Sequence, residues 1–297
     1  MSGRRSRHRW SGPAGTLRDA VTDGLFRAVI GLALMLPYRW RVPLAGRIVA
    51  RIVAPLAGFR RRIRENLALV LPDLPVAEVE TLSRDVPDNL GRTIAEIYSG
   101  PEFVARMRDV PLTGPGAADL AAAQRDGRPV ILVTGHFGNY DAARAALIAR
   151  GYRLGGLYRP MKNRFFNRHY VAAIERIGKP LFPRGARGLG AMVRHLRSGG
   201  MVGIVMDQHM RHGADLTFFG QTAMTATSAA DLAVKYDALL IPIYAIRKPD
   251  GLSFDLRVES PIPPGDPREM TQALNDSLEA LVRQHMGQWL WIHRRWK

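Results

Sequence analysis

The sequence predicts an α/β fold, a mostly parallel or mixed sheet flanked by helices, preceded by a helical N-terminal membrane-associated segment. Three observations carry this. From about Gly127 onward, short apolar runs alternate with segments of helical periodicity, the pattern of βα units on a parallel sheet. The first hundred residues read as helices throughout. The 297 residues, 46% of them apolar, suffice for one sizeable core but not for two large independent domains. We divide the chain into a basic, amphipathic membrane-anchoring region, 1–64, and a main domain, 65–297.

Charge marks the first region. Residues 1–64 hold 14 arginines against Asp19 and Asp23, so most of the net +17 sits at one end. Such an end attracts nucleic acid, an anionic membrane surface or an acidic protein. Here the arginines flank apolar runs, Ala28 to Leu36 and Ile48 to Phe59, and are not interleaved with base-stacking aromatics. That favours an anionic membrane surface and argues against nucleic acid. Leu17, Val21, Leu25, Ala28, Val29, Leu32 and Leu36 recur with helical spacing, with Arg18, Asp19, Thr22 and Asp23 on the other side. The longest uncharged stretch, Ala28 to Tyr38, is short of the roughly 18 residues a span needs, so attachment at the interface is expected. A cleaved signal peptide is disfavoured, because Arg39, Arg41, Arg47 and Arg51 follow the run without an Ala-x-Ala site. The absence of cysteine removes disulfides, thiolate nucleophiles and Cys-based zinc sites.

In order, Arg60 to Val70 reads as a basic helix stopped by Pro72, and Val76 to Tyr98 as a longer helix before Gly100-Pro101. Strands are expected at Val130 to Thr134, Arg153 to Leu157, Met201 to Met206, Leu239 to Ala245 and Phe254 to Val258. Helices are expected at Tyr140 to Arg150, Asn163 to Ile177, Arg187 to Arg197, Ser228 to Tyr236 and Arg268 to His285.

The most informative segment runs from Pro129 to Asp141. An apolar strand enters a glycine-bounded turn and then a helix, which puts His136 at the carboxyl edge of the sheet, where open α/β folds bind ligands. Asp141, in the first helical turn, is expected to reach back to the imidazole and fix its tautomer. The other ring nitrogen then takes a proton from an attacking hydroxyl. The spacing alone says little: eight histidines and 26 acidic residues give roughly 0.7 chance matches to His-x4-Asp/Glu. A turn histidine beside a helix N-terminal carboxylate remains the alternative.

His136-Phe-Gly-Asn-Tyr-Asp141 resembles the His-x4-Asp/Glu motif of the lysophospholipid acyltransferase superfamily, in the form found in bacterial lipid A lauroyl/myristoyl acyltransferases. Further blocks agree in order. Tyr158-Arg-Pro-Met-Lys-Asn163 is similar to the family's Tyr-Arg-Pro-x-x-Asn. Asp207-Gln208, Phe218-Phe219-Gly220 and Thr225-Ala226-Thr227 resemble its Asp-Gln-Asp, Phe-Phe-Gly and Thr-x-Thr blocks. The ending from Gln288 to Lys297 is similar to Tyr-x-Trp-x-His-Arg-Arg-Phe-Lys. Two positions depart: His209 stands where the family has the second Asp, and Asp141 stands where many members have Glu.

The resemblance implies an O-acyltransferase that takes an acyl chain from acyl carrier protein and transfers it to a hydroxyl of a lipid A precursor. It implies a catalytic domain facing the cytoplasm at the inner membrane, and no cofactor. His136 and Asp141 are then catalytic. Gly138, Asn139, Arg159, Asn163, Arg187, Asp207 and Gln208 are expected to bind substrate. Among these, the N–H groups near Gly138, or the Arg159 guanidinium, would meet the oxyanion. Arg159, Asn163 and the helix start at Arg187 would meet anionic groups. Open alternatives are a surface salt bridge for Arg159 and plain loop material for Arg187. Two wider ones remain: another glycolipid or lysophospholipid acceptor, and a lipid hydrolase using the same dyad. His209, His212 and Asp215 with Asp207 match no strong metal-ligand spacing, and no metal is expected. Trp289, Trp291 and Trp296 suit either a membrane-interface foot or core packing.

Overall fold

The computed structural model describes residues 13–161 and 163–297. Arg4, Arg5, Arg7 and Arg9 of the basic end lie outside the described residues, as do the side chains of Leu17, Arg18, Thr22 and Leu25. Helices α1 (Pro13–Leu34) and α2 (Tyr38–Ile48) lead through a π-helical stretch, Val49–Val53, into the single turn α3 (Ala54–Leu56). Then come α4 (Phe59–Val70), α5 (Val76–Tyr98) and α6 (Pro101–Met107). The α/β part follows as β1 (Leu112–Thr113), α7 (Ala117–Asp126), β2 (Val130–Thr134), α8 (Tyr140–Ala149), β3 (Leu154–Tyr158), α9 (Arg164–Ile177), β4 (Leu181–Pro183), α10 (Ala186–Arg197) and β5 (Met201–Val205). A hairpin of β6 (Ala214–Phe218) and β7 (Gln221–Thr225) precedes α11 (Ser228–Tyr236), β8 (Leu239–Arg247), β9 (Phe254–Val258) and α12 (Pro267–Gln284).

Among the described residues, seven strands form one sheet in the order β1-β9-β8-β2-β5-β3-β4. Its pairs are parallel except β8 with β9. The expected α/β class and mixed sheet are therefore present. Alternation along the strands sends Leu132, Leu154 and Ile243 to one face, against α8 and α9. Ile131, Val202 and Leu240 go to the other, in a cluster with residues of α10, α11 and α12. A third cluster joins Ile63, Leu67, Phe218 and Phe219 to Trp289 and Trp291. Trp289 and Trp291 are fully buried, so of the two readings of the tryptophans, core packing holds for both. Ile63 and Leu67 also show that α4 crosses the expected 64/65 boundary while packed on the main domain.

The segment after Asp207, for which no strand was expected, contains the β6–β7 hairpin, closed at Phe219 and Gly220 with φ of 53° and 71°. Two consecutive positive φ values match the hand of a two-residue hairpin turn, usually signalled by Asn-Gly, and Phe-Gly hid it.

Helix α1 is amphipathic in an inverted sense. Asp23 is buried, with Oδ1 2.8 Å from His169 Nε2, while His169 Nδ1 lies 2.7 Å from the Tyr98 hydroxyl. Phe26 and Ile30 pack on the domain beside it. Val21, Val29, Leu32 and Met35 face outward, Met35 at 80% exposure. Among the described residues, no single helix is long and apolar enough to cross a membrane; Tyr38–Leu56 and Phe59–Val70, meeting at 83°, pass that test only as a bent pair.

One buried polar cluster ties the helical layer to the sheet. Glu96 of α5 has no exposed surface, and its carboxylate accepts from Arg247 Nη2 of β8 at 2.8 Å and from Asn139 Nδ2 at 2.8 Å. Arg247 Nε also donates to Asn89 Oδ1 at 2.8 Å. Breaking such a pair strands a buried charge, so Glu96→Ala is expected to lower unfolding stability by about 3–5 kcal/mol, measured by urea titration. A loss under about 1 kcal/mol would contradict this account.

Candidate active site

The site is built by strand register. β2 and β5 are adjacent and parallel, with Thr134 opposite Val205. Two residues beyond that rung, on each strand, stand His136 and Asp207. The two side chains therefore meet at the carboxyl edge of the sheet, as its topology requires.

Asp207 is 1% exposed and its carboxylate is fully engaged. Oδ1 lies 2.7 Å from His136 Nδ1; Oδ2 accepts from the His136 backbone N–H at 2.7 Å and from Trp289 Nε1 at 2.8 Å. Burial alone would push this carboxyl up, but the adjacent His136 ring and its hydrogen bond, the nearby His293 and the His136 N–H together hold it well below its ordinary range. An ionised Asp207 can only accept, so His136 carries its proton on Nδ1 and presents Nε2 as the basic nitrogen.

This corrects the expected pairing. Asp141 lines the same cavity as His136, but its Oδ1 accepts from Arg144 Nε at 2.6 Å. Arg144 is itself clamped by the carbonyls of Gly178 and Ile174, at 3.0 and 3.1 Å. Inside a helix, a carboxylate's nearest basic neighbour three residues on is an easier partner than a ring in the preceding turn. The carboxylate that orients the imidazole comes instead from the neighbouring strand.

Several expected substrate contacts turn out to be structural. Gly138 sits at φ 52°, where a Cβ would lie 1.8 Å from the Ala245 carbonyl, and its N–H donates to Gln288 O at 2.9 Å. That N–H is already committed and is no oxyanion donor. Asn139 is buried; it caps α8 by accepting from the Asp141 N–H at 3.0 Å and donates to Glu96. Asn163 caps α9, accepting from the N–H groups of Phe165 and Phe166, both at 3.0 Å, and donates to Asp19 O at 3.2 Å. Arg187 is exposed, in the first turn of α10, and lines neither cavity that reaches His136. Arg159 and Gln208, by contrast, do line the larger cavity beside His136. Asp215 pairs with Arg268 at 2.7 Å, and among the described residues no group of three or more His, Cys, Asp or Glu is placed to hold a metal.

That cavity, about 350 Å³, lies between one face of the sheet (Leu132, Leu154, Gly156, Gly203) and helices α8 and α9 (Leu147, Ile174). It is apolar in depth and polar at His136, the form of a small-molecule site. A second hollow of about 20 Å³, lined by Asn89, Thr93, Gln288 and Leu290, also reaches His136.

Sequence reasoning missed the Trp289 contact to Asp207 and the role of His293, whose ring packs edge-on against His136 with centroids 4.6 Å apart. Both lie in the quoted C-terminal block, but nothing in that block says it folds back to the strand ends. Arg144 carried a legible signal, standing three residues after Asp141 on a helix.

Burial pushes His293 down to about 4, helped by His136 and opposed by Asp207. The folded-state value lies below the ordinary 6.5, so the stability from keeping this ring neutral is fully present above 6.5 and is lost as pH falls toward 4. Asp207, also depressed, adds a loss only below its ordinary 3.8. Urea unfolding across about pH 7 to 4 should therefore lose up to ~3 kcal/mol that His293→Gln does not lose. Parallel curves for the two proteins would contradict this.

Residues 17–297 match the bacterial lipid A biosynthesis acyltransferase family. A phosphatidylinositol mannoside acyltransferase of Mycobacterium tuberculosis (strain ATCC 25618 / H37Rv) is 26% identical over 80% of this chain and 78% of its own. The lipid A biosynthesis lauroyltransferase of Escherichia coli (strain K12) is 26% identical over 91% of this chain and 89% of its own. A lipid A biosynthesis acyltransferase of Haemophilus influenzae (strain ATCC 51907 / DSM 11121 / KW20 / Rd) is 22% identical over 91% and 86%. With nearly its whole length matched, and a basic histidine at the mouth of an apolar cavity, the chain belongs to the bacterial lipid A biosynthesis acyltransferase family and is an acyltransferase.

Proposed function

We propose that the protein transfers a fatty acyl chain from the thioester of acyl carrier protein to a hydroxyl of a lipid A precursor, with His136 as general base and Asp207 as the carboxylate that orients it. One observation carries the reading: the free Nε2 of an imidazole fixed by a buried carboxylate stands where an apolar cavity meets the sheet edge. With the chain in the cavity, the thioester carbonyl lies beside His136. Nε2 takes the proton of the acceptor hydroxyl while its oxygen bonds to the carbonyl carbon. The oxyanion is met by Arg159 and Gln208, two polar groups that line the cavity and whose side chains make no hydrogen bond among the described residues. Collapse breaks the C–S bond, and the imidazolium returns its proton to the leaving thiolate. Asp141, held by Arg144, fixes the start of α8 against the cavity wall.

The outward apolar face of α1 supports attachment to the cytoplasmic face of an inner membrane. Trp40, Ile52 and Leu56 are exposed beside the exposed Arg39, Arg47 and Arg51, a mixture suited to an anionic bilayer surface. Leu32→Asp with Met35→Asp is expected to weaken co-sedimentation with vesicles containing anionic lipid by about tenfold or more. Unchanged binding would remove α1 from the membrane contact.

The transfer itself is tested by mass spectrometry of lipid products, after incubation with acyl-loaded carrier protein and a tetra-acylated lipid A precursor. The expected result is a gain of one acyl chain, lost in His136→Ala and slowed about 10²- to 10⁴-fold in Asp207→Asn. The mycobacterial relatives favour one second reading, a phosphatidylinositol mannoside acceptor. A gain on that lipid alone would move the acceptor there, and free fatty acid as sole product would make the protein a hydrolase.

A further inference from the structure

We propose that Gly203 sets the longest acyl chain the protein accepts, by leaving the middle of the cavity free of a side chain. The inference rests on the acyl-transfer reading above and concerns the depth of the same cavity.

Glycine weakens a strand interior, and within strands it marks places where another backbone or a ligand comes close. The two paired strands β3 and β5 hold three glycines, of which Gly156 and Gly203 line the cavity beneath α8 and α9 while Gly155 faces the other side of the sheet. A Cβ on Gly155 would lie 2.5 Å from Phe182 Cε2, so packing accounts for that glycine, and one on Gly156 would make a tight contact with Leu181 Cδ2 at 3.3 Å. Gly203 differs. The nearest atom to its Cβ would be the Gly155 carbonyl oxygen at 3.7 Å, ordinary contact, and its φ lies outside the left-handed region. Neither crowding nor backbone conformation asks for glycine there, yet the residue lines the cavity.

Register fixes its depth. Gly203 is opposite Leu132 on β2 and Gly156 on β3. The Thr134–Val205 rung next to His136 lies two residues nearer the sheet edge, about 6.6 Å away at ~3.3 Å per residue. Leu154, opposite Met201, lies two residues deeper, and Leu147 is seven residues along α8 from Tyr140. A side chain at position 203 would thus leave the part of the cavity beside Thr134 and His136 open and close the part beneath it. An acyl tail running from a thioester at His136 must pass over Gly203 to reach Leu154 and Leu147.

The test uses the full chain with carrier protein loaded with octanoyl, lauroyl or palmitoyl groups, comparing wild type with Gly203→Ala and Gly203→Val. The ratio of kcat/KM for the short donor over the long one is expected to rise by about fourfold for each methylene excluded, the equivalent of ~0.8 kcal/mol per buried CH2, with Ala intermediate. An unchanged ratio overturns the proposal while leaving acyl transfer standing. If neither protein transfers an acyl group to any acceptor, displacement of a bound fluorescent fatty acid by octanoate, laurate and palmitate decides instead. Loss of palmitate competition relative to octanoate in Gly203→Val supports the depth role even though transfer has failed. Equal competition, or no binding by wild type, overturns it.

Discussion

A carboxylate stripped of water must find donors at hydrogen-bond distance or give up its charge, and Asp207 is in that position. Its three donors come from two parts of the chain: the His136 ring, the His136 backbone N–H and the Trp289 indole. The first two belong to the turn after β2, the third to the C-terminal segment. Satisfying one buried charge therefore fixes the imidazole's orientation, the shape of the turn and the docking of the last ten residues together. That segment is held again from outside, by Asn66 Nδ2 donating to the carbonyls of Trp291 and His293, at 2.6 and 2.8 Å. Arg295, fully buried, does the same from within by donating to Thr225 Oγ1 at 2.6 Å.

The helical layer serves the same turn from the opposite side. Glu96 of α5 holds Asn139, Asn139 caps α8, and Asn89 and Thr93 donate to the Gly138 carbonyl at 2.9 and 3.0 Å. The polar groups of the motif between His136 and Asp141 are thus largely consumed in building a rigid mouth, which leaves the imidazole Nε2 for chemistry. On its other side the helical layer is apolar and basic. Because Asp23 turns inward to His169, the apolar stripe of α1 is left facing out.

Much of the α/β core was legible, because its strands are β-branched and apolar and its helices carry caps such as Asn163 and Asp266. β4, with three residues ending in proline, and β1, with two, were too short to show a period. In the site, His136 was legible from its strand–glycine–helix context. Its partner was not, because that pairing depends on which strand lies beside β2. Local spacing pointed to Asp141, five residues away, while the parallel register of β2 with β5 brought in Asp207, 71 residues away. The same limit hid Glu96 and Arg247, whose contact spans 151 residues.

The central claim is that Asp207, not Asp141, fixes the imidazole, and ¹⁵N NMR of histidine-labelled protein tests it most directly. The account predicts that His136 near neutral pH is the Nδ1–H tautomer in wild type and in Asp141→Asn, and that this preference is lost in Asp207→Asn. A tautomer that survives Asp207→Asn and disappears in Asp141→Asn would contradict it.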